Sequence, residues 1–235
     1  MKRFWDNAET VGGVGGWQIH LDGKPVRIPG GAALAVPGRP LAEAIAAEWQ
    51  AAGGAKGGDF NLQSMALTRL AGTAQERVAP AREAIALELA RYGESDLLCY
   101  RAERPQRLVE RQHAEWQPWL DWAHRTHGAK LVATAGIIHL PQDISALAAL
   151  AEAVAGHDTI GLAGLGVLVP ALGSLVLGLA VADGALSGAE AHAVSVLDDI
   201  FQEELWGRDA DAHAGRLRVA ADVAVAEQFL VLARA

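Results

Sequence analysis

Cysteine and basic charge are both scarce in this sequence. Cys99 is the only cysteine among 235 residues, so no internal disulfide can form, which suits a reducing compartment. Lysine and arginine number 20 against 28 acidic residues, for a formal net charge of −8. Because no dense basic stripe is present, we expect no nucleic-acid partner. The N-terminus, MKRFWDNAET, is short, has no long apolar stretch and contains two acidic residues, so we expect neither a secretory signal nor a transit peptide.

Recognisable catalytic motifs are lacking as well. Gly12–Gly16 precedes a hairpin pattern, and Gly161–Gly166 has no strand before it, so neither predicts a phosphate-binding loop. His124 and His127 lie one helical turn apart but have no further metal ligands beside them. Apolar neighbours predict a buried, inert thiol at Cys99. We expect no cofactor, no metal, no small-molecule substrate and no enzymatic activity. The alternative is a hydrolase or nucleotide-binding protein whose site assembles from scattered carboxylates.

One long apolar run, from Thr159 to Ala182, carries no charge and is long enough to cross a bilayer. It has acidic flanks and no aromatic or basic anchors, unlike most membrane spans. The run is therefore expected to form a buried helix hairpin or a kinked central helix, without membrane insertion. Of these two we predict the buried helix at the centre of a helical domain, kinked at Pro170. Membrane association through this run is the alternative.

Small residues recur at i, i+4 spacing within the same run, at Gly166, Pro170, Ser174 and Gly178. This spacing places them on one face of a helix, where a second helix can approach closely. We predict that Gly166, Ser174 and Gly178 each contact a neighbouring helix.

The hydrophobic pattern predicts an α+β protein with a small N-terminal β-sheet and helix domain, residues 1–62, followed by a larger all-α domain, residues 63–235. Asp22-Gly23 separates two alternating runs, which is typical of a β-hairpin. ALAVPG predicts a further short strand, and Pro40 a helix start. Residues 130–140 are β-branched and alternating, which predicts a strand that returns to the N-terminal sheet. Helices are predicted at about 63–76, 80–93, 104–127, 143–156, 159–182, 187–206 and 209–233.

The segment RYGESDLLCYR, Arg91 to Arg101, is too apolar for a generic linker. It passes from a helix end through a glycine into a short apolar plug, and Asp96 is well placed to cap the residues after it. We predict a buried elbow between helices.

Tryptophan is abundant, with seven residues, and Trp116, Trp119 and Trp122 recur at a spacing of three on one predicted helix. This spacing forms an aromatic ridge along one helical face. The ridge is expected to pack the sheet against the helical domain, or alternatively to face a partner, because aromatic residues dominate interface hot spots.

A second aromatic feature lies at the end of the predicted helix 187–206, where Trp206 is surrounded by acids and followed by a glycine. Negative charge in the last helical turn opposes the helix dipole, so these acids lack an evident stabilising role in the sequence. We predict a docking patch for a partner; the alternative is that Trp206 fills the joint to the final helix. The candidate partner-binding residues are Glu203, Glu204, Trp206, Gly207 and Asp209.

The sequence resembles the assembly chaperones of the F-type ATP synthase that act on the alpha subunit of its catalytic head. The resemblance runs nearly end to end and is carried by KRFW, GWQIHLDGKPVRIP, LAEAIAAEWQ, MALTRLAGTAQERV, RYGESDLLCYR, EWQPWLDWA, LGSLVLGLA and LDDIFQEELWG. The departures from the family pattern are Ile28, Ala51, Gly72, Pro170 and Arg208.

This resemblance implies a small α/β domain, a larger helical domain and a non-catalytic role. It also implies that the chain binds a newly made alpha subunit and covers the apolar surface that the beta subunit later buries. An unpaired subunit of an obligate ring exposes such a surface, which is an aggregation hazard. The short N-terminus and the composition favour a bacterial cytoplasmic member.

Overall fold

The computed structural model describes residues 1–13, 15–136 and 138–235. The described chain divides into two compact units. The first unit comprises residues 1–82, 159–164 and 228–235, and the second comprises residues 83–158 and 165–227. Short strands cluster near the N-terminus and helices dominate the remainder, which confirms the predicted α+β class. The domain division at residues 62 and 63 stays a prediction.

The described strands are β1 (Ala8–Gly13), β2 (Gly16–Leu21), β3 (Lys24–Pro25), β4 (Ala35–Val36), β5 (Tyr100–Arg101) and β6 (Thr134–Ala135). The described α-helices are α1 (Arg39–Ala51), α2 (Ala66–Thr73), α3 (Arg82–Ala90), α4 (Gln106–His127), α5 (Ile144–Gly156), α6 (Thr159–Leu172), α7 (Leu175–Ala182), α8 (Gly188–Ser195), α9 (Leu197–Trp206) and α10 (Ala210–Arg234).

The sheet of the first unit is built from two hairpins around β2. β1 and β2 pair antiparallel through the glycine-rich segment, in which Val14 lies outside the described residues. Asp22 and Gly23 join β2 to β3 with φ values of 48° and 75°, as a two-residue type I′ turn requires. The predicted hairpin is thus confirmed. β4 pairs with β2 as well, which confirms the short strand expected in ALAVPG.

A buried arginine joins the N-terminus to the end of α1. Arg3 is 3% exposed, and its guanidinium donates to the main-chain carbonyls of residues near it in space. The acceptors are Trp5, Asp6, Gln50, Ala52 and Gly54. Since the last carbonyls of a helix have no partner within the helix, Arg3 closes the C-terminal end of α1.

The elbow of the second unit is organised by Asp96. Its side chain is fully buried and accepts hydrogen bonds from the Leu98 amide at 3.0 Å, the Ser174 hydroxyl at 2.8 Å and the Val176 amide at 3.0 Å. Burial raises the pKa of Asp96, and these hydrogen bonds offset part of that increase. The predicted capping role is confirmed at Leu98, and the carboxylate also holds the start of α7.

The apolar run 159–182 forms two helices, α6 and α7, so the prediction of one helix kinked at Pro170 is wrong. Pro170 lies inside α6, and the break comes later, at Gly173, where φ is +63°. The Gly173 carbonyl accepts from the Leu97 amide at 3.1 Å, and Ser174 caps α7 by accepting from Leu177. The elbow therefore binds both sides of the break. Every residue of α7 is buried, as predicted for the run.

The small-residue stripe has a different fate at each position. A Cβ added at Gly178 would lie 2.7 Å from Val169 of α6, so the predicted close helix contact is confirmed there. Ser174 acts as a helix cap instead. Gly166 is exposed, and no described atom of another helix lies within 4 Å of the Cβ position, so its predicted contact is wrong. Within the described ranges, no helix is long and apolar enough to span a bilayer.

Residues 130–140 do not return to the N-terminal sheet, and that prediction is wrong. Ile137 lies outside the described residues; of the remainder, Thr134–Ala135 forms β6, which pairs in parallel with β5 of the second unit. The main chain of Val132 is hydrogen-bonded to the side chain of Gln142. The carboxamide oxygen of Gln142 accepts from the Val132 N–H, and its NH2 group donates to the Val132 carbonyl. These bonds satisfy the groups that a longer strand would pair.

The aromatic ridge of α4 begins inside the second unit. Trp116 is fully buried and donates from Nε1 to the Val194 carbonyl of α8 at 2.9 Å, and the Arg101 guanidinium lies over its ring. Trp119 and Trp122 are half-buried and meet edge to face, with centroids 6.4 Å apart. The first tryptophan of the ridge is therefore a core residue of the helical unit.

We predict that Ser174→Ala lowers the free energy of unfolding by about 1–3 kcal/mol, because it leaves the buried Asp96 carboxyl without one donor and removes a helix cap. Ser187→Ala is the matched control, since Ser187 also caps a helix, α8, but on the exposed surface. Urea denaturation measures both. Equal losses for the two variants would contradict a special role for the buried pair.

The raised pKa of Asp96 predicts a specific pH dependence. A carboxyl group with a raised pKa binds its proton more tightly in the folded state, so its contribution to stability falls as pH rises above its unfolded pKa of about 4. Asp96→Asn cannot ionise and should lack this decline, although it is less stable throughout because an amide N–H would oppose a donor. As pH rises from 4 to 7, the difference in the free energy of unfolding between wild type and Asp96→Asn should become smaller, as chemical denaturation would show. A constant difference would contradict the assignment.

Candidate functional site

The candidate site lies at the C-terminal end of α9. Leu197 and Phe201 bury one side of this helix, which leaves its far end at the surface. The predicted single helix 187–206 is wrong, since Val196 separates α8 from α9. Gly207 ends α9 with φ +92°, and its amide bonds to the Glu203 carbonyl at 2.9 Å. The glycine stop expected from the sequence is thus present.

Glu203 is bound by two arginines. Its carboxylate pairs with Arg216 of α10, and the two side chains are only 15% and 12% exposed. Arg208 lies 4.0 Å from the other carboxylate oxygen. Arg208, a departure from the family pattern, therefore supplies a second positive charge near Glu203.

Glu204 is bound by α4. It accepts from Arg111 at 2.8 Å, and Arg107 lies 3.5 Å away. The hydrogen bond from Arg111 lowers the pKa of this carboxyl. The expectation that the two glutamates lack a stabilising role is therefore wrong: their charges, unfavourable at a helix C-terminus, face cations of other helices. Sequence could not show this, because the arginine partners on α4 and α10 are distant in the chain.

Trp206 is a surface residue. It is 78% exposed, which is inconsistent with a ring that fills the joint to the final helix. Its neighbour Leu205 is 53% exposed and was missed by the sequence reasoning. Together they form an apolar projection, the Leu205–Trp206 pair, on a helix end that four arginines hold in place. Large exposed apolar side chains on a fixed support are suited to protein binding.

Asp209 has a local structural role. Its carboxylate accepts from the amides of Asp211 and Ala212 at 2.8 and 2.9 Å, and so caps the start of α10. The structure thus gathers the five candidate residues at one junction between α9 and α10. Their chemistry differs, however: three carboxylates are engaged within the chain, and only the tryptophan ring projects outward.

A polar network that the sequence reasoning missed lies beneath α9. Gln112 is buried and donates to the Asp198 carboxylate at 2.8 Å, while its side-chain oxygen accepts from the Ala102 amide. Arg101 donates to the Gln112 carbonyl at 2.6 Å. Burial raises the pKa of Asp198, and the bond from Gln112 opposes this. The network connects α4, α9 and β5, so the Asp198 carboxyl, whose pKa is raised, has a structural role.

Other candidate groups are placed as follows. Cys99 is buried, as predicted, and burial raises the pKa of its thiol to about 12. His127 lies 3.3 Å from the Asp183 carboxylate. Among the residues that the structure describes, no three histidines, cysteines or acids are grouped so that they could hold a metal ion.

The comparisons with known proteins identify the class. The family described as ATP12 chaperone protein matches residues 2–124, just over half of the 235. The chain therefore belongs to the ATP12 chaperone family, which serves assembly of the ATP synthase, and the resemblance seen in its sequence is confirmed.

Individual relatives agree along nearly the whole chain. The crystal structure of Atp12 from Paracoccus denitrificans is 42% identical, covers 99% of this chain and 98% of its own, and has a TM-score of 0.94. Atu1473 from Agrobacterium tumefaciens is 36% identical over 97% of this chain and 85% of its own, with a TM-score of 0.90. Protein atp12, mitochondrial, from Schizosaccharomyces pombe is 26% identical over 90% of this chain and 76% of its own length.

The two glutamates of α9 should differ in their effect on stability. Glu203→Gln should lower the free energy of unfolding on the order of 3 kcal/mol, because it leaves the largely buried Arg216 without its partner. Glu204→Gln, at the more exposed pair, is the matched control and should have a small effect that salt removes. Chemical denaturation at low and high salt measures both. Equal effects would contradict the assigned roles.

Proposed function

We propose that this protein binds the unassembled alpha subunit of the F-type ATP synthase catalytic head. It shields the subunit interface of alpha until the beta subunit replaces it. Membership of the ATP12 family, over a fold shared almost completely with the Paracoccus Atp12 structure, is the observation that carries this proposal. The role requires no chemistry, since displacement by the proper neighbour can be driven by competition. We accordingly propose a non-catalytic protein of the bacterial cytoplasm, without cofactor, nucleic-acid partner or membrane insertion.

The proposed contact surface is the end of α9, formed by Glu203, Glu204, Trp206, Gly207 and Asp209. Its apolar part, the Leu205–Trp206 pair, would pack on the alpha subunit, because both side chains are exposed to solvent. The two glutamates would act mainly as positioning residues, since each already faces arginines of the same chain. A helix end that is held in place loses little conformational freedom on binding, which favours affinity.

The test replaces the projecting ring. We predict that Trp206→Ala weakens capture of purified alpha subunit by roughly tenfold to a hundredfold, as loss of an aromatic hot spot does. The thermal midpoint should change little, because the ring is 78% exposed. Leu217→Ala, at a position of α10 that is 58% exposed, is the matched control and should bind as wild type does. Affinities are measured by biolayer interferometry.

Two outcomes would contradict parts of the proposal. If Trp206→Ala captures alpha as well as wild type does, the end of α9 is not the contact surface, although another face could be. If the wild-type protein binds separated beta subunit and ignores alpha, the proposed client is wrong. Parallel measurements against both subunits distinguish these cases.

A further inference from the structure

One edge of the N-terminal sheet is open. In the β1–β2 ladder, the Asp22 amide donates to the Asn7 carbonyl, so Asn7 and Asp22 form a hydrogen-bonded pair. In an antiparallel ladder such pairs alternate with pairs whose main-chain groups point away from each other. Ala8, Thr10 and Gly12, which lie opposite Leu21, Ile19 and Trp17, are therefore of the second kind. Their N–H and C=O groups point away from β2.

Two further bonds support this alternation. The Ala8 amide donates outward, to the side chain of Gln50, at 2.7 Å. The Ile19 carbonyl accepts from Val26 at 2.8 Å, on the side of β2 that faces away from β1. Within the described ranges, the outward amides of Thr10 and Gly12 have no hydrogen-bonding partner.

The Gln50 side chain already imitates part of a neighbouring strand. Its carboxamide accepts from the Ala8 amide and donates to the Asp6 carbonyl at 3.2 Å. One residue of an added parallel strand would make the same two bonds, through its own N–H and its own C=O. The edge is thus shaped to receive an amide on this side, and the receptive positions continue past Gln50 to Thr10 and Gly12.

A groove runs beside these positions. It has a volume of about 660 Å³ and lies between β1 and α1. Small residues of α1 and two glutamates are among its lining residues. The groove is lined by Ala8, Glu9, Thr10, Glu43, Ala46, Ala47, Gln50 and Ala51. Alanines leave room for the side chains of an adjacent strand.

We propose that the open edge of β1 is a second client-binding site, at which an extended segment of the alpha subunit adds to the sheet as a strand. This inference rests on the proposed function for the identity of the client. The segment would bond to the main chain of Thr10 and Gly12 and place small apolar side chains over Ala47, on the face of the sheet that packs against α1. On the opposite face it would carry a lysine or arginine beside Glu9, which pairs with His20 and not with the buried residues of β2. Strand addition gives affinity through main-chain bonds and selectivity through alternate side chains.

An open edge suits a chaperone for a physical reason. Unassembled chains can aggregate through the unpaired N–H and C=O groups of their edge strands. A chaperone that offers an edge strand of its own can bond to these groups of the alpha subunit, in the way that a second alpha subunit would in an aggregate. The glutamates of the groove discourage pairing between two acidic copies of this chain, whose net charge is −8.

The experiment measures amide exchange by NMR on the full chain, alone and with purified alpha subunit. In the free protein the amides of Glu9 and Val11, which face β2, should exchange slowly, and those of Thr10 and Gly12 quickly. Addition of alpha should slow exchange at Thr10 and Gly12 by about tenfold or more. This readout needs no variant and does not depend on folding of a mutant.

A matched pair of variants gives the second readout. Thr10→Pro removes the outward N–H, and proline is tolerated on an edge strand at such positions, so the sheet should remain. Thr10→Ala keeps the N–H and serves as the control. We expect Thr10→Pro to weaken alpha capture roughly tenfold more than Thr10→Ala does, because only the proline removes the N–H.

The outcomes separate the two proposals. If wild type captures alpha but Thr10 and Gly12 still exchange quickly in the complex, strand addition is overturned and the proposed function stands. If wild type captures no alpha at all, both fail. If protection at Thr10 and Gly12 grows with the concentration of this protein alone, the edge pairs with a second copy, and the client site is overturned.

Discussion

The second unit depends on one buried carboxylate. Asp96 lies at the elbow between helices and accepts from the start of α7, so it fixes where the long apolar run bends back. Burying an acid is unfavourable unless its oxygens are bonded, and here the Ser174 hydroxyl and two amides meet that requirement. Without these donors, the second unit would contain a buried carboxyl group with unsatisfied oxygens, which would destabilise it. The same junction holds the start of α7, the helix that approaches α6 closely at Gly178.

Local signals were read correctly from the sequence, and distant partners were not. The Asp22-Gly23 turn, the helix start at Pro40 and the helix stop at Gly207 each depend on the conformational limits of one or two residues. By contrast, the break at Gly173 depends on Asp96, and the proline nearby gave a stronger but misleading local signal. The partners of Glu203 and Glu204 lie on other helices, so the sequence alone predicted free acids where the structure has ion pairs.

The segments that carry the family resemblance are largely structural. KRFW supplies Arg3, which closes α1, and Trp5, whose indole donates to the Trp49 carbonyl. The elbow segment supplies Asp96 and a buried thiol. The two surfaces that could contact the alpha subunit differ in this respect. The Leu205–Trp206 pair lies within LDDIFQEELWG, which carries part of the resemblance, whereas β1 lies outside all the segments that carry it. The edge of β1 therefore emerges only when main-chain bonding is known.

The order of synthesis gives the break at Gly173 a further consequence. Asp96 precedes Ser174 by 78 residues, so the acceptor has already left the ribosome when the apolar run is made. Chains fold from the N-terminus as they emerge, and exposed apolar segments are the most hazardous part of that process. The apolar run can therefore bond to Asp96 as soon as it leaves the ribosome. Its first helix can end at once, instead of extending into a single apolar rod that would have to be refolded later.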